Sequence, residues 1–346
     1  MRHSLLSRFQ GTLLAAALGE ALGAYGRSQP PLHRAGNRET AQKLSTSPSI
    51  TLESWHPGLA SNLKSSTAPA PWGYAAVKCA RALVQTGSWS ELEMAAIGVR
   101  LAADRVATNA SLMQPRSSKA FFSAESALAT LPLALFFYEN VTKQQQILRQ
   151  TVQLWQSPPG TEAGLLAVGY AIAEGLNEQV ERLTLLPRTI VYLKQSTAKP
   201  TDTLLELIGA LEQTQVLIQQ EAGLHTAIER LRTAAHSCHE AIALAFYCFL
   251  SSFADLRLSL LRAARCGEAA SVVCALTGAL SGSHHGLSGL PLTWRLDRPL
   301  PLLGELSNLE LGQLATHLFA VWSGSYHPAT AQRSIAIAAP GLLRPR

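Results

Sequence analysis

Glu20 is the first residue of this sequence that invites a chemical question. Residues 8–27 read RFQGTLLAAALGEALGAYGR, where Glu20 is the only carboxylate and Arg27 stands just beyond the predicted helix. A carboxylate inside an apolar helix either accepts hydrogen bonds from neighbouring structure or acts as a general base, because burying it unpaired is costly. Other residue types also suit chemistry. His236, Cys238 and His239 sit together in HSCHE, and His284 and His285 are adjacent in SHHG. Imidazole and thiolate are zinc ligands, but no CxxC pair accompanies them, and histidines at helix ends are the plainer reading. Cys266 follows Arg265 ahead of a predicted helix, a setting that lowers a thiol pKa; a packed cysteine is the plainer reading. Trp72, Arg27 and the polar residues between them have the types that stack a base and pair a phosphate. An exposed loop and one packed tryptophan is the plainer reading. The sequence has no GxSxG, P-loop or dinucleotide fingerprint, and GLSGLP lacks the lysine of a phosphate loop.

Helices must position these groups. Of 346 residues, 47% are apolar and only 15% charged; alanine and leucine dominate and β-branched residues are sparse, a helical composition. A helix is predicted over 5–24. A polar segment of about 27–71, rich in Ser, Thr and Pro, follows and reads as a long loop. From Gly73 helix follows helix. Ser88 or Ser90 is placed to cap one of them, with Glu91 and Glu93 in its first turn. Pro132 bends or breaks the apolar SAESALATLPLALFFYENV. TEAGLLAVGYAIAEGL restarts after Pro158-Pro159-Gly160, and Leu204, Ile208, Leu211 and Ile218 form one stripe of the next helix. Further helices are expected around 236–252, 253–265, 268–286 and 308–324. No alternating stretch is long enough for a sheet. The expectation is an all-α single domain over 1–346 with a tail at 334–346.

The formal charge is +6 with pI near 9.2, yet the basic residues are scattered, which argues against nucleic acid as a partner. Five cysteines, mostly in apolar segments, suit free buried thiols in a reducing compartment. MRHSLLSR followed by GTLLAAALG resembles a signal peptide, but Glu20 interrupts the apolar run. No apolar stretch reaches the length of a membrane span. A cytoplasmic, soluble monomer is expected.

Three stretches carry a family pattern. Arg8 and Gly11 open a small-residue helix that closes on GEALG. SFADLRLSLLRAARCGEAASVVCALTGALSG occupies 252–282, and GLPLTW occupies 289–294. Together they resemble the ADP-ribosylglycohydrolase (DraG-like) family, which removes ADP-ribose from proteins. That family has Gly-Asp-Ala-Leu-Gly at the first place, Gly-Gly-Asp-x-Asp-Thr within the second, and Ile-Pro-x-x-Trp at the third. The likeness runs from about 8 to 296 and implies a helical fold around a site holding two divalent ions, Mg²⁺ or Mn²⁺, on carboxylates drawn from three places. Such ions need hard oxygen ligands.

At the matching positions the resemblance implies that this chain has lost them. The family's Thr-Asp-Asp-Thr falls on Ala70, Pro71, Trp72 and Gly73. Its Gly-Gly-Asp-x-Asp-Thr falls on Gly267, Glu268, Ala269, Ala270, Ser271 and Val272, and its Met-Arg on Leu128 and Ala129. A family glutamate falls on Arg27, whose permanent cation would repel divalent ions. Glu20 replaces the aspartate of Gly-Asp. The resemblance therefore implies a pseudoenzyme without metal, binding a protein or an ADP-ribose-like ligand, with Glu20, Arg27, Trp72 and Ser271 as candidate binding residues. Two alternatives stand beside it: a hydrolase with a rebuilt site and Glu20 as base, and a scaffold using the 27–71 segment.

Overall fold

Small residues decide how the first helix packs. The computed structural model describes residues 3–28, 71–111, 122–158, 160–196, 201–234, 239–295 and 306–325. Helix α1 (Leu5–Ser28) runs antiparallel to α13 (Ala270–His285), and the two touch backbone to backbone along most of their length. A Cβ on Gly278 would lie 2.5 Å from the Ala15 carbonyl carbon and 3.0 Å from the Ala16 nitrogen. Gly11 meets Gly282 in the same way, Gly19 meets Cys274, and Gly23 meets Ala270 and Ser271. Only glycine lets helix axes approach so closely. Most of α1 is buried, consistent with its nearly all-round apolar sequence.

Fifteen α-helices and no strand element occur among the described residues, so the chain is all-α. Around the α1–α13 pair stand α2 (Pro71–Thr86), α3 (Glu91–Ser111), α4 (Phe122–Ala129) and α5 (Leu131–Phe136). They are followed by α6 (Val141–Leu154), α7 (Thr161–Leu176), α8 (Leu185–Ser196), α9 (Asp202–Gln219) and α10 (Leu224–Ala234). The rest are α11 (Glu240–Ser251), α12 (Leu256–Ala263), α14 (Leu292–Arg295) and α15 (Asn308–Trp322). Helices α7, α11 and α13 are buried on nearly every face and form the centre.

Local chemistry sets the ends. Asn140, Thr201 and Asp255 cap α6, α9 and α12 by accepting from Lys143 N (2.9 Å), Leu204 N (3.3 Å) and Leu258 N (3.0 Å). Ser307 and Glu310 form a reciprocal capping box at α15. Of the two candidate serines before α3, Ser90 accepts from Glu93 N at 3.5 Å. Pro132 lies in the first turn of α5, and the apolar run breaks at Thr130 into α4 and α5.

Three sequence expectations change. Helix α1 continues to Ser28, so Arg27 lies in its last turn and not beyond it. Burial of Tyr25 and the contact of Gly26 with Ala264 hold that turn in helical form. The expected 27–71 loop therefore loses both its ends to helices, and 29–70 lies outside the described residues, as does the 334–346 tail. Hydrophobic periodicity also does not single out α8 or α10. Helix α8 mixes Pro187 and β-branched residues, and α10 buries only Ala227 and Leu231 firmly. Among the described residues no helix is long and apolar enough to cross a membrane.

Candidate functional site

Glu20 projects from the buried stretch of α1 and is 3% exposed. One turn further on, Gly23 touches the backbone of Ala270 and Ser271. Glu20 and Ser271 thus stand on adjacent turns of two touching helices, and Ser271 is itself buried. A 3₁₀ turn, Gly267–Ala269, leads into α13. It exposes Glu268 to solvent and buries Ala269. The side chain of Arg27 lies outside the described residues.

Trp72 belongs to a different neighbourhood. It is 3% exposed and lines an apolar recess of about 20 Å³ with Leu13 and Ala16 of α1, Leu131 and Pro132 of α5, and Leu311 of α15. That is room for about one water molecule. Among the described residues its indole N–H has no hydrogen-bond partner. The structure therefore sets Glu20 one turn from the Gly23–Ser271 contact, and sets Trp72 into the core about a turn away along α1.

The histidines and Cys266 are also placed. His239 is fully buried before α11, close to Gly160 and Thr203. Burial pulls its pKa down to about 4, opposed by the Thr203 backbone. His236 and Cys238 lie outside the described residues. His284 packs beside Phe253, ring centroids 4.6 Å apart, and is held near pKa 4 by burial first, then by His285, Arg8 and His3, against the pull of Glu178. His285 Nε2 lies 2.9 Å from the Phe253 carbonyl oxygen. Cys266 is a packed cysteine, and contact with Cys248, then burial, raises its pKa well above the ordinary thiol range. The basic neighbour Arg265 points to solvent and does not offset this.

Two constellations have no sequence signature of their own. Arg8 is buried, and its guanidinium donates to the carbonyls of Gly175 (3.2 Å) and Leu176 (3.0 Å) and to the Glu178 carboxylate (2.8 Å). It closes the C-terminal end of α7, where unpaired carbonyls and the helix dipole favour a cation. On an outer face Tyr170 stacks on Tyr192 at 4.4 Å, beside the Glu174–Arg188 ion pair. Burial raises the Glu174 pKa and Arg188 pulls it back. Only the opening Arg8…Gly11 spacing hints at the first constellation, and nothing in the pattern hints at the second.

The divalent ions implied by the fold family find a poor donor set here. The matching positions offer the Glu20 carboxylate, the Ser271 hydroxyl and the outward Glu268. Among the described residues no group of three or more His, Cys, Asp or Glu side chains is placed to hold a metal ion. Mg²⁺ keeps its water unless several charged oxygens converge in octahedral geometry, so these residues do not fit such ions.

Fold and site together define a many-helix protein built on a glycine-lined antiparallel helix pair with a buried carboxylate at its end. The sequence model of the ADP-ribosylglycohydrolase family matches residues 1–327, and the chain belongs to that family. A solved structure described as "ADP-ribosylglycohydrolase-related protein complex" is similar in fold, at TM-score 0.57 and 19% identity, covering 92% of this chain and 99% of that one. The comparison with curated proteins finds no match.

Proposed function

We propose that this chain is a catalytically silent ADP-ribosylglycohydrolase-family protein that acts by binding a protein or an ADP-ribose-like ligand. One observation carries the reading. At the turn where the family resemblance expects paired aspartates, this chain has Ala269, Ala270 and Ser271, with Ala270 and Ser271 packed against the backbone of Gly23. The side chains of Ala269, Ala270 and Ser271 supply no carboxylate at that turn. A doubly charged ion gains nothing there to offset loss of its water.

The alternative of a rebuilt hydrolase rests on Glu20, a buried carboxylate beside the Ser271 turn, acting as general base on a water. Calorimetric titration of ADP-ribose with and without Mg²⁺ separates the readings. Silent binding gives the same isotherm in both conditions and no release of ADP-ribose from a modified protein. Turnover that disappears in Glu20→Gln would establish the hydrolase instead. The scaffold alternative depends on the 27–71 segment, most of which lies outside the described residues. Deleting 29–70 and retesting partner capture addresses it.

A further inference from the structure

Four of the five cysteines are described, and all four are buried and unbridged. Two of them face one another. Cys248 lies one turn before the end of α11, and Cys266 lies in the turn between α12 and the 3₁₀ turn Gly267–Ala269. Their sulfurs are 3.9 Å apart, in van der Waals contact, so about 2 Å of closure reaches disulfide bond length. Cys274, a further thiol near Cys266, is turned toward the Leu260 carbonyl oxygen, 3.5 Å away. The turn that carries Cys266 has room to move. Arg265, Gly267 and Glu268 around it are exposed, and nothing lies within 4 Å of where a Gly267 Cβ would stand. Cys248, by contrast, is fixed inside a helix that is buried on every side there.

We infer that Cys248 and Cys266 are an oxidisable dithiol, closed to a disulfide by a peroxide. The turn opens and Cys266 loses its proton. Its thiolate attacks one peroxide oxygen, the O–O bond breaks, and hydroxide leaves and takes a proton to become water. The resulting sulfenic acid is attacked by the Cys248 sulfur, the S–O bond breaks, and a second water leaves. Two thiols and one hydrogen peroxide thus give one disulfide and two waters, a two-electron oxidation. In the closed fold contact and burial keep Cys266 protonated, so the reaction runs at the rate of turn opening and the resting form is the dithiol. The bond would tie the entry to α13, and with it the Ala269–Ser271 turn, to α11. This inference does not depend on the proposed function.

The test uses the full reduced chain exposed to hydrogen peroxide, then unfolded, alkylated and mapped by mass spectrometry. Free thiols are expected to fall from the five of the sequence to three, with one peptide cross-link joining Cys248 to Cys266. Cys266→Ser is expected to keep all its remaining thiols and Cys248→Ser to hold Cys266 as a sulfenic acid with no cross-link, while Cys79→Ser and Cys238→Ser form the bond as the parent does. Retention of all five thiols, where the urea-unfolded chain oxidises, overturns the inference. So does a cross-link through Cys238 or Cys274. If a serine variant fails to fold, as judged by circular dichroism, the peptide map of the parent chain decides alone.

Discussion

Replacing Gly278 by alanine tests whether the α1–α13 contact organises the fold. The added methyl would stand 2.5 Å from the Ala15 carbonyl carbon, where ordinary contact needs about 3.4–4 Å, so the helices must part by about 1 Å. The obstacle is backbone, which cannot rotate aside as a side chain does. Overpacking costs about 1–3 kcal/mol, and the upper end applies to a rigid neighbour. Alanine returns about 1 kcal/mol of helix propensity, which leaves a net loss of about 2 kcal/mol. At about 2–4 °C per kcal/mol for a domain of this order, the midpoint falls by about 4–8 °C. Gly209→Ala is the control, because Gly209 lies inside α9, is exposed, and would place its Cβ against nothing within 4 Å. There only the propensity gain of up to about 1 kcal/mol operates, and the midpoint rises. Thermal and urea unfolding followed by circular dichroism read both variants. Equal shifts, or a Gly278→Ala chain as stable as the parent, would refute backbone contact as the organising feature.

Three other variants probe the site and its supports. Arg8→Ala removes the buried guanidinium from two helix-end carbonyls and from Glu178, and an expected loss of about 2–4 kcal/mol in urea unfolding should be several times that of Glu178→Gln, whose side chain is 40% exposed; equal losses would contradict a buried clamp. Trp72→Ala should cost about 3–5 kcal/mol as a core truncation while leaving any ADP-ribose affinity unchanged, and a variant that loses the ligand but keeps its stability would restore Trp72 as a stacking platform. His239 is neutral and buried, with its pKa held at about 4 while the unfolded chain takes up its proton near 6.5. The folded state therefore loses stability as pH falls from about 6.5 to about 4, by up to roughly 3 kcal/mol, and no further below. The fall in urea midpoint from pH 7 to pH 4.5 should be smaller in His239→Gln than in the parent, and an unchanged pH slope would show that His239 does not titrate as described.

Much of this fold can be read from short-range pattern. Pro158, Pro159 and Gly160 mark the start of α7, and the Leu204, Ile208, Leu211 and Ile218 stripe is buried as its spacing requires. The all-α class follows from composition, and the family from three short stretches. What cannot be read is set by distant contact. The last turn of α1 is held by Ala264, more than 230 positions away, so local polarity misplaces Arg27 outside the helix. Arg8 acts on carbonyls 167 and 168 residues distant. Cys266 follows a basic residue in sequence, but in space it faces Cys248, and the sign of its pKa shift reverses. Trp72 has a polar stretch before it in sequence and a wall of leucine, alanine and proline around it in the fold. Site chemistry depends on which side chains converge, and convergence is the part that spacing along the chain does not encode.

The proposed silent reading requires that this chain hold no divalent-ion centre. Equilibrium dialysis against Mn²⁺, with metal counted per protein chain by mass spectrometry, tests it directly. No stoichiometric binding at micromolar Mn²⁺ and no change on Glu20→Gln are expected. One or two ions per chain, lost on Glu20→Gln, would contradict it.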